Sequence, residues 1–466
     1  MADRDLLFAP AAALGRLVRL REVSAVELAR LALDSLDSHG RALNAVAELT
    51  PELALAQAAQ ADREIASGYS RGPLHGVPYG AKDLLATRGI PTRWGSPAHR
   101  EQVFDYDASV VVRLREAGAV LVAKLAMVEL AGGGGYAYPA ASLHGPGRNP
   151  WDIQRWAGGS SSGSGSAVGG GLVPFAIGSE TWGSITVPAA FCNVSGLRPT
   201  YGRVPRHGAM ALSWTMDKLG PMARTAEDCG LILAAIAGHD RRDRSSLPGR
   251  FAFRPNSAEG RQLRLGILPK QYEGVHPAPD TQVRFEAALE VLRGLGHRAE
   301  QAMLPDYPYD VAASTIIAAE GASAFESLIL GPRLAELADE TQRQGLRDGL
   351  ALPAVDYLRA MRVRTLAGPA AVTVFERVDV LVAPTLLRGA PLVDADLRES
   401  FGGMGGNGGP GNLLGWPSIS VPMGLGSDGL PLGLELIGPP EGEAALLALA
   451  AAYQQETSWH LARPPR

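Results

Sequence analysis

Two glycine-serine segments and one lysine hold the residue types for acyl transfer. The first segment is Gly158-Gly159-Ser160-Ser161-Ser162-Gly163, and the second is Gly178-Ser179-Glu180-Thr181-Trp182-Gly183-Ser184-Ile185. Ser160 and Ser184 lie 24 positions apart. Upstream, Gly76-Val77-Pro78-Tyr79-Gly80-Ala81-Lys82-Asp83 sets a lysine behind an apolar run. A serine hydroxyl is a weak nucleophile until a base takes its proton. One serine can attack while the other relays that proton to a neutral amine, and no histidine or metal is then required. Lysine is ordinarily protonated, with a pKa of about 10.4, and burial lowers that value. Lys82 suits the end of a buried strand. Neighbours on a strand face opposite ways, so Asp83 need not pair with it.

The second segment also suits a developing oxyanion. Several backbone N–H groups pointing inward hold such a charge best. A tight turn through Thr181, Trp182, Gly183 and Ser184 can present them, and Pro188-Ala189-Ala190-Phe191 suggests entry into a new element. Ser160 sits where glycine makes unusual backbone angles cheap.

The elements that position these residues alternate between helical and strand patterns, which argues an α/β fold. Residues 10–65 read as helices, with a capping box at Ser24-Ala25-Val26-Glu27. Val110 to Leu114, then Gly118 to Val122, reads as helix, turn and buried strand. Arg241–Asn256 is charged and proline-containing, a linker or surface loop. Residues 263–375 read as a mostly helical subregion after a short strand at Leu265 to Leu268. Leu381 to Thr385 reads as a strand edge. Residues 402–411 hold seven glycines and read as a mobile loop able to form part of a substrate entrance.

Composition narrows the function classes. The 466 residues are 46% hydrophobic, enough for a large core. A formal net charge of -4 gives no electrostatic case for nucleic acid or acidic membranes. No run of roughly 18 apolar residues signals a spanning helix, and no leader pattern opens the chain. Cys192 and Cys229 form no zinc spacing, and the expected compartment is the cytoplasm. Four lysines stand against forty arginines, and arginine does not deprotonate in proteins. That bias favours a chemical reason for Lys82.

From Gly158 to Pro199 the chain resembles the amidase signature hydrolases. The likeness extends to Gly72 through Pro78, Asn149 through Asp152, Gly220 through Thr225 and Gly415 through Pro422, and so to nearly the whole chain. The resemblance implies one amidase domain over residues 1–466. It implies a large mixed, mostly parallel twisted β-sheet with helices on both faces. It also implies a Ser–cis-Ser–Lys triad without metal or cofactor. Ser184 takes the nucleophile's position, Ser160 that of the relay serine after a cis bond, and Lys82 that of the base. The backbone from Thr181 to Ser184 takes the place of the oxyanion hole. Two positions depart from the pattern. Trp182 replaces a usual glycine, and Thr186 stands where arginine is frequent, which weakens the case for anionic substrates.

Other readings stay open. The glycine-serine run could be a linker. Gly159 to Gly163 also fits an elbow around Ser161, giving a Ser161–His460 hydrolase if a strand precedes it, and Asn149 to Asp152 makes a poor strand. A catalytically silent scaffold, or one chain of a transfer-RNA amidotransferase, would share the same pattern. Five tryptophans lie near the matched motifs: Trp94, Trp156, Trp182, Trp214 and Trp416. Together they suggest aromatic pocket walls for a small-molecule aryl or alkyl amide, or a carbamate.

Overall fold

Ser24 opens a helix as its pattern predicts. Its hydroxyl accepts from the Glu27 N–H at 3.0 Å, and the Glu27 carboxylate accepts from the Ser24 N–H at 2.7 Å. The computed structural model describes residues 3–254, 262–268, 276–400 and 408–465.

Among the described residues, eleven strands form one sheet. In chain order they are β1 (Val46–Leu49), β2 (Pro78–Lys82), β3 (Val120–Leu125), β4 (Phe175–Glu180), β5 (Ser195–Arg198) and β6 (Lys218–Ala223). There follow β7 (Arg264–Ile267), β8 (Arg298–Gln301), β9 (Val380–Pro384), β10 (Ser418–Leu425) and β11 (Pro431–Ile437). Across the sheet the order is β1-β3-β2-β4-β6-β5-β10-β11-β9-β7-β8. Every residue of β3, β4 and β6 is buried. Successive side chains face opposite sides, so both faces of this central part are covered.

The sheet is mixed rather than mostly parallel. Only β2–β3, β2–β4, β9–β7 and β7–β8 run parallel, and the other six neighbouring pairs are antiparallel. Parallel neighbours need a crossover. Helix Ser109–Glu116 lies in the one from β2 to β3, and Pro279–Gly294 in the one from β7 to β8. Residues 426–430 join the antiparallel pair β10 and β11 directly.

Three strand assignments change. β1 and β8 fall inside stretches that read as helical, because each is a four-residue, partly exposed strand at a sheet edge with little apolar signal. The β9 segment is flanked on both sides, by β11 and β7, and is interior. Residues 241–254 form no helix or strand, and 255–256 lie outside the described residues. Of the glycine-rich stretch, residues 401–407 lie outside the described residues, while Gly408–Leu413 is a short helix.

The glycine-serine run is a buried helix, not a linker. Ser162–Gly169 is buried at every residue. A Cβ on Gly163 would lie 2.4 Å from the Ala45 carbonyl oxygen and 2.6 Å from the Ala126 nitrogen. Only glycine admits that approach of two backbones. The run before it also differs from expectation: Arg148–Asn149 and Asp152–Trp156 pair as a small antiparallel ribbon apart from the main sheet.

Candidate active site

β2 delivers Lys82 into the interior, where its side chain is fully buried. Lys82 Nζ lies 2.7 Å from Ser160 Oγ and 2.9 Å from Ser179 Oγ. Burial lowers its pKa to about 7, against the opposing pull of Asp217 and Glu180. Asp83 points elsewhere: it pairs with Lys124 at 3.1 Å and accepts from the Arg93 N–H at 2.9 Å. The amine therefore has no carboxylate in contact to hold its proton.

Ser160 follows a cis peptide bond from Gly159. The Ser161 N–H donates to the Ser184 carbonyl at 3.2 Å, which ties the two serine turns together. Ser184 is 6% exposed, next to Gly183, which borders a cleft. Gly183 takes the left-handed conformation of the turn, with φ +79°. Trp182 is not a left-handed residue, so this position does not depend on the family's glycine. Among the described residues, the N–H groups of Trp182, Gly183 and Ser184 donate to no backbone or side-chain acceptor. Buried backbone donors are normally paired. Free donors beside a nucleophile are what an oxyanion requires.

Glu180 fixes this turn from behind. Its carboxylate accepts from the N–H groups of Ile185 at 2.9 Å and Thr186 at 3.0 Å, directly after Ser184. Arg198 pairs with it at 2.7 Å, and the Asn412 amide donates to it at 2.9 Å. Burial alone would raise its pKa, but Arg198, Lys218 and the Asn412 amide hold it down at about 2. Glu435 lies farther from Arg198, at 3.8 Å, and burial raises its pKa. Thr181 donates to Asp217 at 2.6 Å, which anchors the start of the turn.

Breaking one partner of a buried ion pair costs about 3–5 kcal/mol. Glu180→Gln should accordingly lower the melting temperature by several degrees, measured by calorimetry, and should slow turnover as the Ser184 turn loosens. An unchanged melting temperature would mean that Glu435 takes over the pairing.

Sequence reasoning did not single out Ser179, Glu180, Asp217 or Arg198. Ser179 and Glu180 lie within the second glycine-serine segment, so a signal was present. Asp217 and Arg198 are distant in sequence and carried none.

Beside the two serine turns lies a cleft of about 880 Å³. Tyr136, Trp156 and Trp182 wall it, Gly159 and Gly183 border it, and Glu435 lies at its polar side. A Cβ on Gly159 would lie 2.7 Å from the Trp156 ring, so the indole reaches the serine turn only past glycine. Trp182 also packs on the cluster that contains Met216, Leu413 and Trp416, and it serves both as packing and as wall.

The other tryptophans do not reach this cleft. Trp94 packs against His99 at 4.6 Å, with Phe104 and Phe325 beyond. Trp416 is buried edge-on against Phe375 at 5.0 Å. Trp214 is 43% exposed and lines a different cavity. Motif proximity in sequence did not aim these rings at the cleft.

The elbow alternative finds no support in contacts. The Ser161 hydroxyl is engaged with the Ser179 backbone at 3.2 Å and 3.3 Å. His460 sits in a C-terminal turn whose carbonyls hold Arg224. Among the described residues, no hydrogen bond joins Ser161 to His460.

A model of the amidase family matches residues 27–447. The chain belongs to the amidase family. It is 37% identical to a glutamyl-tRNA(Gln) amidotransferase component of Geobacter sp. (strain M21), over 96% of this chain and 97% of that protein. Its fold matches the peptide amidase of Stenotrophomonas maltophilia with a TM-score of 0.82 and 34% identity, over 98% of both chains. It also matches a bacterial aryl acylamidase of the amidase signature family, with a TM-score of 0.87 and 26% identity over 98% of this chain and 99% of that one. Family membership places its chemistry among C–N hydrolases and amidotransferases. Among the described residues, no helix is long and apolar enough to cross a membrane.

Proposed function

We propose that the protein hydrolyses C–N bonds of amides with an aryl or bulky apolar acyl group, and carbamates in the same site. The observation that carries this reading is the aromatic cleft beside Gly159 and Gly183. Its aromatic walls, with a few polar groups such as Thr186 and Glu435 between them, are of the kind that hold small molecules.

Ser184 Oγ attacks the carbonyl carbon. Its proton passes to Ser160, and the Ser160 proton passes to neutral Lys82. The oxyanion lies against the free N–H groups of the 182–184 turn. As the C–N bond breaks, the proton returns from Lys82 through Ser160 to the leaving nitrogen. Water then attacks the Ser184 ester by the same relay, releasing the acid and restoring the hydroxyl.

A panel of aryl amides, aliphatic amides, esters and carbamates against the purified protein tests this. Preference for small aliphatic amides would overturn the aryl assignment. Trp182→Gly should shift the aryl-to-aliphatic ratio of kcat/KM by about tenfold or more, the scale of pocket discrimination. It should also lower the melting temperature, since the indole packs as well. A lower melting temperature with an unchanged ratio would remove Trp182 from substrate selection.

The second reading is one component of an amidotransferase, favoured by the 37% identity to the Geobacter protein. Glutaminase activity that appears only with copurifying partner chains would establish it in place of the stand-alone hydrolase.

A further inference from the structure

A second cavity, of about 710 Å³, shares no lining residue with the aromatic cleft. Ser179 and Thr181 line it, and Ser179 Oγ is the group bonded to Lys82. The aromatic cleft instead borders Gly159, Trp182 and Gly183. Ser179 thus connects the second cavity to Lys82, and Thr181 connects it to the start of the 181–184 turn, whose Trp182 and Gly183 border the aromatic cleft. In amide cleavage the base returns its proton to the leaving nitrogen. A cavity that reaches Lys82 through Ser179 is therefore a candidate for the amine portion.

Leu84, Met210 and Leu219 line the second cavity together with Ser179, Thr181 and the buried Asp217, and its mouth is charged. At that mouth Arg242 pairs with Asp240 at 2.8 Å, and Arg206 faces Asp243 at 3.5 Å. Arg244 has no carboxylate partner among the described residues and is exposed. It carries the charge left over. We infer that this cavity is the leaving-group site, and that it selects amides whose amine portion is an aliphatic chain ending in a carboxylate. The apolar lining residues fit the chain and Arg244 fits the end. Thr186, at the position where arginine is frequent, lies in the other cleft and does not bear on this cavity.

The inference rests on the proposed amide hydrolysis, and the test separates the two. One aryl acyl group is joined to ammonia, to n-butylamine and to 4-aminobutyrate, and kcat/KM is measured for each. The 4-aminobutyrate amide should exceed the butylamide by about fivefold, the scale of one exposed ion pair. Arg244→Gln, and separately 1 M salt, should bring that ratio to about one while the primary amide is unchanged. Ala211→Trp fills the mouth at an exposed position of the lining. It should slow both substituted amides at least tenfold and spare the primary amide. Turnover of the primary amide with no carboxylate preference, or equal slowing of all three by Ala211→Trp, would overturn the leaving-group assignment and leave amide hydrolysis standing. No turnover of any amide would overturn both.

Discussion

Ser184→Ala should lower turnover by at least about 10³-fold and abolish labelling by a serine-directed phosphonate. Ser161→Ala should keep activity within a few-fold of the parent. The contrast follows from what each hydroxyl touches. Ser184 stands next to unpaired backbone donors and is slightly exposed, whereas Ser161 is fully buried and bonded to the Ser179 backbone. Losing the Ser161 hydroxyl removes an internal hydrogen bond worth about 1 kcal/mol, visible in a melting curve rather than in turnover. Ser160→Ala should match Ser184→Ala in rate loss, since residues acting as one relay are not additive, and the double variant should be no slower than either. An inactive Ser161→Ala beside an active Ser184→Ala would move the nucleophile to Ser161.

The parts of this site legible in the sequence are those that lie within one segment. The 178–185 run contains the turn of the proposed nucleophile, its free donors and the Glu180 carboxylate that braces them, because a strand end and the helix after it are consecutive in chain. Lys82 was legible through its apolar surroundings, since a lysine behind Val77, Pro78 and Tyr79 has few places to go but inward. What escaped was long-range. Arg198 reaches Glu180 only because β5 and β4 both flank β6, and Asn412 arrives from the far end of the chain. Strand direction escaped for a similar reason: alternation shows that segments are strands, while the connection between them sets parallel or antiparallel pairing. The tryptophans show the same limit. Trp156 and Trp182 flank serine turns and reach the cleft, but Trp94 and Trp416 are equally near a motif and turn into the core.

Raising pH should switch the enzyme on through about pH 7, as Lys82 loses its proton. The profile of kcat/KM should climb there and flatten above. The chain's use of lysine supports the assignment. Lys82, Lys124 and Lys218 are each at most 1% exposed, on β2, β3 and β6. An amine can shed its charge when buried, and a guanidinium cannot. Lys82→Arg should therefore lose about 10²–10⁴ of its rate, the usual weight of a general base. Lys82→Met supplies the folded control, because it fills the space without a charge. The sign of the stability effect follows from the same shift. Between about pH 7 and 10.5 the unfolded chain binds a proton at Lys82 that the folded chain does not, so stability rises with pH across that window. Lys82→Met should remove this part of the slope in melting temperature against pH. An active Lys82→Arg, or a Lys82→Met slope identical to the parent's, would show that position 82 holds its charge and is not the base.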